Sequence, residues 1–186
     1  VVLNNNIGYG LGFRFSLHET IEEVTIDNNP YLEYIDADGT LHYFVQDRDD
    51  NGNILNNKYL DEDGLGLEAY KNNNKYIITD KNGNKYVFAL NGTLYYLTEL
   101  INTLGDKIII NYDSNKRINK IIDGNNDEIN ITYNSNNTII TSKHRSTTIN
   151  YNNNLITSIE TKNGITSFTY NNKNLIEKIV DTNGLA

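Results

Sequence analysis

The sequence predicts an all-β protein, an antiparallel meander of stacked β-hairpin repeats forming an elongated, curved sheet. Three observations carry this expectation. One pattern recurs between Leu97 and Gly184: an aliphatic strand, a polar turn, and a second strand closing on Tyr. Its period is roughly twenty residues, too short for one copy to bury its own apolar face, so neighbours must stack. The second strands alternate with period two, as half-buried strands do. Finally, Tyr outnumbers Phe by 14 to 5 and Trp is absent; tyrosine keeps its hydroxyl at the wet edge of a thin sheet.

The copies begin at Leu97, Ile118, Ile139, Leu155 and Leu175, and four close on Tyr112, Tyr133, Tyr151 and Tyr170. Ile108, Ile110 and Tyr112 lie on one face of their strand, as do Ile129, Ile131 and Tyr133, then Ile149 and Tyr151, then Thr166, Phe168 and Tyr170. Each Tyr precedes a polar cluster starting at Asp113, Asn134, Asn152 or Asn171. Asn and Asp tolerate the left-handed backbone of tight turns, so these clusters are read as turns.

At these residues the chain resembles the RHS family, or YD repeats, named for the Tyr-Asp pair that stands here as Tyr112-Asp113. The family unit carries Gly before the Tyr, matched at Gly105, Gly124 and Gly164. Its aliphatic-x-x-aliphatic-x-Asp-x-x-Gly stretch is most complete from Ile176 to Gly184. The chain departs from the pattern where Asn134, Asn152 and Asn171 follow the tyrosines, where Asn102 replaces an Asp, and where the copy from Ile139 lacks its Gly. Asn keeps the turn geometry and removes a charge. The resemblance implies a non-enzymatic structural segment of a bacterial surface or secreted protein. Such a β-ribbon winds into a shell carrying or enclosing a C-terminal toxin, and its partners are the rest of its own array and that effector. The final Asp181 to Leu185 resembles the Asp-Pro-x-Gly-Leu motif that ends such arrays, without its Pro, and no catalysis is assigned to it.

Upstream, Gly8, Gly10 and Gly12 space like a phosphate loop, but no Lys-Ser/Thr follows. Phe13, Phe15 and Leu17 instead alternate as a strand. Gly10-Leu11-Gly12-Phe13 resembles the glycine-aromatic entry to RHS arrays. Thr20 to Glu23 has the spacing of a helix cap, yet Val24 and Ile26 resume alternation, so the segment is read as strand. Two hairpins share one grammar: Asp36 to Gly39 then Phe44, and Asp80 to Gly83 then Phe88. Asp opens each turn and Gly supplies the positive φ. Residues 1–92 form this lead-in and 93–186 the repeats, about four and a half copies by the repeat period. No linker composition separates them, which favours one continuous sheet. The chain reads as a segment of a longer array.

The net charge of −8 without a basic run argues against nucleic acid. No apolar run is long enough for a helical membrane span, and the absence of Cys removes disulfides and thiolate chemistry. Asp47, Asp49 and Asn51, followed by Gly52, match the start of a calcium loop, though Lys58 stands where the bidentate Glu belongs. The favoured reading is a plain solvated turn between Val45 and Ile54, with calcium at these three residues as the alternative and no other cofactor expected. His18, His42 and His144 have no metal-ligand spacing. No residues combine nucleophile, base and orienting group. An alternative function is a carbohydrate- or cell-wall-binding module, with rows of Tyr and Asn meeting cell-wall or host glycans. Either reading places the protein outside the cell or on its wall.

Overall fold

The computed structural model describes residues 7–182, and of Asn56 the backbone alone. Among the described residues there is no helix; the chain is all-β and antiparallel. It divides into two compact units, one of residues 15–111 and one of residues 112–182 with the N-terminal 7–14.

In the first unit, β1 (Thr20–Ile26), β2 (Asn29–Ile35), β3 (Leu41–Arg48), β4 (Ile54–Asp61), β5 (Glu68–Asn72), β6 (Lys75–Thr79), β7 (Lys85–Asn91) and β8 (Leu94–Ile101) pair in chain order. β8 then pairs back with β1, Thr20 facing Tyr96 and Ile21 facing Tyr95, while Leu97 N donates to Glu19 O at 3.1 Å. The sheet thus closes into an eight-stranded barrel. Thr20–Glu23 is strand, as alternation indicates.

Directly opposed residues share a face, so the registers define the inner wall. Ile21 opposes Tyr34, Leu32 opposes Phe44, Tyr59 opposes Ala69, Ala69 opposes Ile78, and Tyr76 opposes Phe88. All of these side chains are buried. A barrel of this size has an interior that side chains can fill, and edge-on rings Tyr34–Phe88 and Tyr76–Tyr95 do so here.

The second unit follows β9 (Lys107–Tyr112), which pairs with β8 at Glu99, Leu100 and Ile101. It contains β10 (Ile118–Ile122), β11 (Glu128–Tyr133), β12 (Asn137–Thr141), β13 (Ser146–Asn152), β14 (Leu155–Thr161), β15 (Gly164–Tyr170) and β16 (Ile176–Val180), each antiparallel to the next. These strands coincide with the repeat copies. Tyr133 opposes Thr138, Thr138 opposes Ile149, Ile149 opposes Ile159, and Ile159 opposes Thr166. With the period-two alternation, Tyr133, Tyr151 and Tyr170 therefore lie on one face.

One turn recurs through the chain. At Asp36, Asp49, Asp80, Asn102, Asp113, Asp123 and Asn171, the residue's backbone N–H bonds to the carbonyl four residues on, and the N–H three residues on bonds back to its carbonyl. Its side-chain Oδ1 accepts the N–H groups two and four residues on, as at Asp80 and Asn171. The fourth position is left-handed: Gly39, Gly52, Gly83 and Gly105, then Lys116, Asn126 and Asn174. Asp and Asn serve equally because the turn uses one carbonyl-like oxygen, which explains why the missing Asp at 102 and 171 leaves the fold intact.

One expectation is corrected. Phe13, Phe15 and Leu17 do not form a strand; residues 13–17 are irregular. The alternation has another cause at Phe13, whose ring packs edge-on against Phe168 at 6.2 Å.

Candidate functional site

The second unit carries the most developed site, built where the N-terminal residues cross the tyrosine face of the repeats. Tyr9 is buried, its ring 6.2 Å from Tyr133, and its hydroxyl accepts the Ile118 N–H at 3.0 Å. Burial is the main reason its pKa is pushed up to about 12. Leu11 N then donates to Asn154 O at 2.8 Å. The two glycines beside Tyr9 are there for close approach. Gly10 has φ +98, and a Cβ on it would sit 3.1 Å from both Tyr151 and Ile156; Gly8, at φ +104, would meet Arg117 at 2.6 Å.

Three of the repeat tyrosines, Tyr133, Tyr151 and Tyr170, clasp the strand before them. The Tyr133 hydroxyl donates to Ile118 O at 2.6 Å and Tyr170 to Ile156 O at 2.7 Å, while Tyr151 bonds Thr138 Oγ1 at 3.1 Å. Ile118, Thr138 and Ile156 are buried at these contacts. Burial raises the pKa of all three tyrosines, so the hydroxyls stay protonated donors at physiological pH. Register shifts fall beside Tyr151 and beside Tyr170, each placing an extra residue in the facing strand.

Arg117 completes the floor. Its guanidinium lies 3.9 Å from the centre of the Tyr133 ring and holds Asp113 Oδ2 through Nε at 2.9 Å and an outer nitrogen at 2.8 Å. Burial opposes ionisation of Asp113, but the Arg117 bonds outweigh it and hold the carboxyl below its usual range. Between this floor and the β11–β12 and β13–β14 turns lies a cleft of about 520 Å³, a volume within the range of ligand pockets.

Of the residues singled out in the sequence, Tyr133 and Tyr151 meet in this cleft, with Asp113 behind Arg117. Tyr112 ends β9, and Tyr170 lies further along the tyrosine face. Gly105 takes the left-handed turn position at φ +90, whereas in the Asp123 turn Asn126, not Gly124, does so. Gly164 opens β15 where Thr182 comes too close for any side chain. Gly184 lies outside the described residues. Asp47 is in β3, and Asp49 opens the β3–β4 turn, its carboxylate accepting Asn51 N, Asn53 N and Asn53 Nδ2. Asn51 is exposed at the tip.

The barrel unit holds two polar clusters that sequence reasoning missed. Glu23 accepts hydrogen bonds from Lys71, Tyr76 and Tyr95. Burial raises its pKa, but these donors outweigh it and leave the carboxyl low. His42 is buried, with Nε2 2.9 Å from Asp36 and Nδ1 3.3 Å from Asp63. Burial disfavours its cationic form, yet the two carboxylates prevail and raise its pKa. Asp36 and His42 are joined by the β2–β3 hairpin already visible in sequence, but nothing local marks Asp63 as their partner. His18 packs edge-on against Tyr96 at 5.7 Å, and His144 is exposed.

No family model matches the chain, and no curated protein matches it. Among solved structures, it is similar to a porin-like protein from Bacteroides uniformis ATCC 8492, at 14% identity and a TM-score of 0.42, covering 89% of this chain and 87% of that one. A likeness of this size carries no argument about function.

Proposed function

We propose that the chain is a non-enzymatic structural segment of an RHS/YD-repeat surface or secreted protein. Its repeats extend as an elongated, curved sheet that carries or encloses a C-terminal effector, outside the cell or at its wall. The observation that supports this most is the recurring clasp: Tyr133, Tyr151 and Tyr170 each lock their strand to the preceding one. Such a clasp closes each hairpin on itself and recurs from copy to copy without a unique centre, which suits a scaffold whose length is set by copy number.

The test is to lengthen it. A second copy of residues 155–174 inserted after Asn174 adds two strands, and the maximum dimension in small-angle scattering should grow by about 10 Å, twice the inter-strand spacing. Aggregation, or a folded product of unchanged dimension, would refute modular extension. Saturable turnover of a glycan or peptide substrate by the purified chain would refute the non-enzymatic role.

A further inference from the structure

The cleft in the second unit has features that the turns around it do not need. Asn153 and Asn154 occupy left-handed positions, φ 49 and 66, where Asn serves the backbone. Asn134 braces its own turn through Nδ2 to Asn137 Oδ1 at 2.7 Å. Asn136 and Asn152 do neither. Both have ordinary negative φ, and among the described residues neither side-chain amide has a protein partner. Yet both line the cleft, Asn136 from the β11–β12 turn and Asn152 from the end of β13, together with the tyrosine floor.

The lining also fixes the charge of an occupant. Among the described residues it contains no Asp, Glu or Lys, and the one cation there, Arg117, is already paired with Asp113 and stacked on Tyr133. What remains in the lining is a set of neutral amides, each with donors and an acceptor, plus the hydroxyl of Ser135. Such groups match vicinal hydroxyls, which donate and accept in the same way. We infer that this cleft, between Asn134–Asn136 and Asn152–Asn154, binds a short neutral oligosaccharide through the side-chain amides of Asn136 and Asn152. This binding role goes beyond the structural one proposed above, and either can fail without the other.

Titration of the ¹⁵N-labelled chain, followed by NMR, tests it, with maltotriose, cellotriose and triacetylchitotriose as neutral probes and digalacturonate as an acidic control. At least one neutral probe at millimolar concentration should shift the side-chain amide resonances of Asn136 and Asn152 in a saturable way. The double variant Asn136→Ala, Asn152→Ala removes two neutral hydrogen-bonding groups and should weaken that probe by about tenfold. Its thermal midpoint should stay unchanged, because neither amide supports the fold. Asn172→Ala, at a turn remote from the cleft lining, should leave affinity unaltered. Cleft resonances unmoved by every neutral probe, binding of digalacturonate alone, or full affinity in the double variant would each overturn the inference.

Discussion

Removing the hydroxyl from a clasping tyrosine isolates one hydrogen bond while keeping the ring. In Tyr133→Phe the lost partner is Ile118 O at 2.6 Å; in Tyr170→Phe it is Ile156 O at 2.7 Å. Ile118 is 0% and Ile156 2% exposed, so water has little access to the carbonyl left behind. A net hydrogen bond contributes about 1 kcal/mol, and an acceptor stranded in a buried site raises the cost to about 1–2 kcal/mol. For a unit of this size that shifts the midpoint by about 4–8 °C per kcal/mol. The two sites lie four strands apart, about 19 Å by inter-strand spacing, so the double variant should lose the sum within about 0.5 kcal/mol. Urea unfolding followed by circular dichroism gives the free energies, and hydrogen exchange over β10 and β14 locates the loss. Tyr70→Phe, on a half-exposed ring with no hydroxyl partner among the described residues, is the control, expected within about 0.5 kcal/mol of the parent. Both single variants falling within that same margin would show that the clasp does not hold the hairpins together.

The remaining expectations concern other parts of the chain. His42 has its folded pKa raised by Asp36 and Asp63, so its stabilising contribution is fully present below the unfolded value of about 6.5 and is lost as pH rises through the folded pKa. The urea midpoint should therefore fall over that interval in the parent relative to His42→Gln; equal pH dependence in both would exclude the bridge. Gly10→Ala should cost about 1–2 kcal/mol from its left-handed backbone alone, with crowding against Tyr151 and Ile156 in addition, and speed proteolysis or exchange at residues 7–14. Unchanged protection there would mean these residues are not held on the tyrosine face. Asp49→Asn keeps the Oδ1 acceptor that the β3–β4 turn uses but removes the charge. Its melting point should hold, while any calcium heat measured calorimetrically at Asp47, Asp49 and Asn51 should vanish; heat that survives would place the ion elsewhere.

The local grammar was readable because it is carried by neighbours in sequence. Alternation at 129–133 and 166–170 marked the tyrosine face, and Asp with Gly three residues on marked the turns at Asp36 and Asp80. The same logic misread Phe13, Phe15 and Leu17, since aromatic residues two apart can also arise in an irregular segment laid on another surface. Barrel closure was not legible, because Ile21 meets Tyr95 across most of the first unit and no short motif records that pairing. A weak trace did exist. Tyr95, Tyr96 and Leu97 are consecutively buried, and an apolar run without alternation marks a strand covered on both faces. The cleft was half visible: its asparagines were read as turn residues, which holds for Asn136, Asn153 and Asn154 while Asn152 ends β13, but only the φ angles show that Asn153 and Asn154 serve the backbone and Asn136 and Asn152 do not.

The direction of the tyrosine clasps bears on how the protein emerges from the ribosome. Each hydroxyl reaches backward to a strand translated before it, across 13 to 15 residues. A hairpin can therefore be fastened as soon as its tyrosine is free of the exit tunnel, with no later sequence required. Low contact order of this kind favours fast, vectorial assembly. The barrel is different in kind: its closing strand comes last, and β1 must wait with an unpaired edge until Tyr95 and Tyr96 arrive. The interval between those two events is when the nascent chain is most open to pairing with the wrong strand.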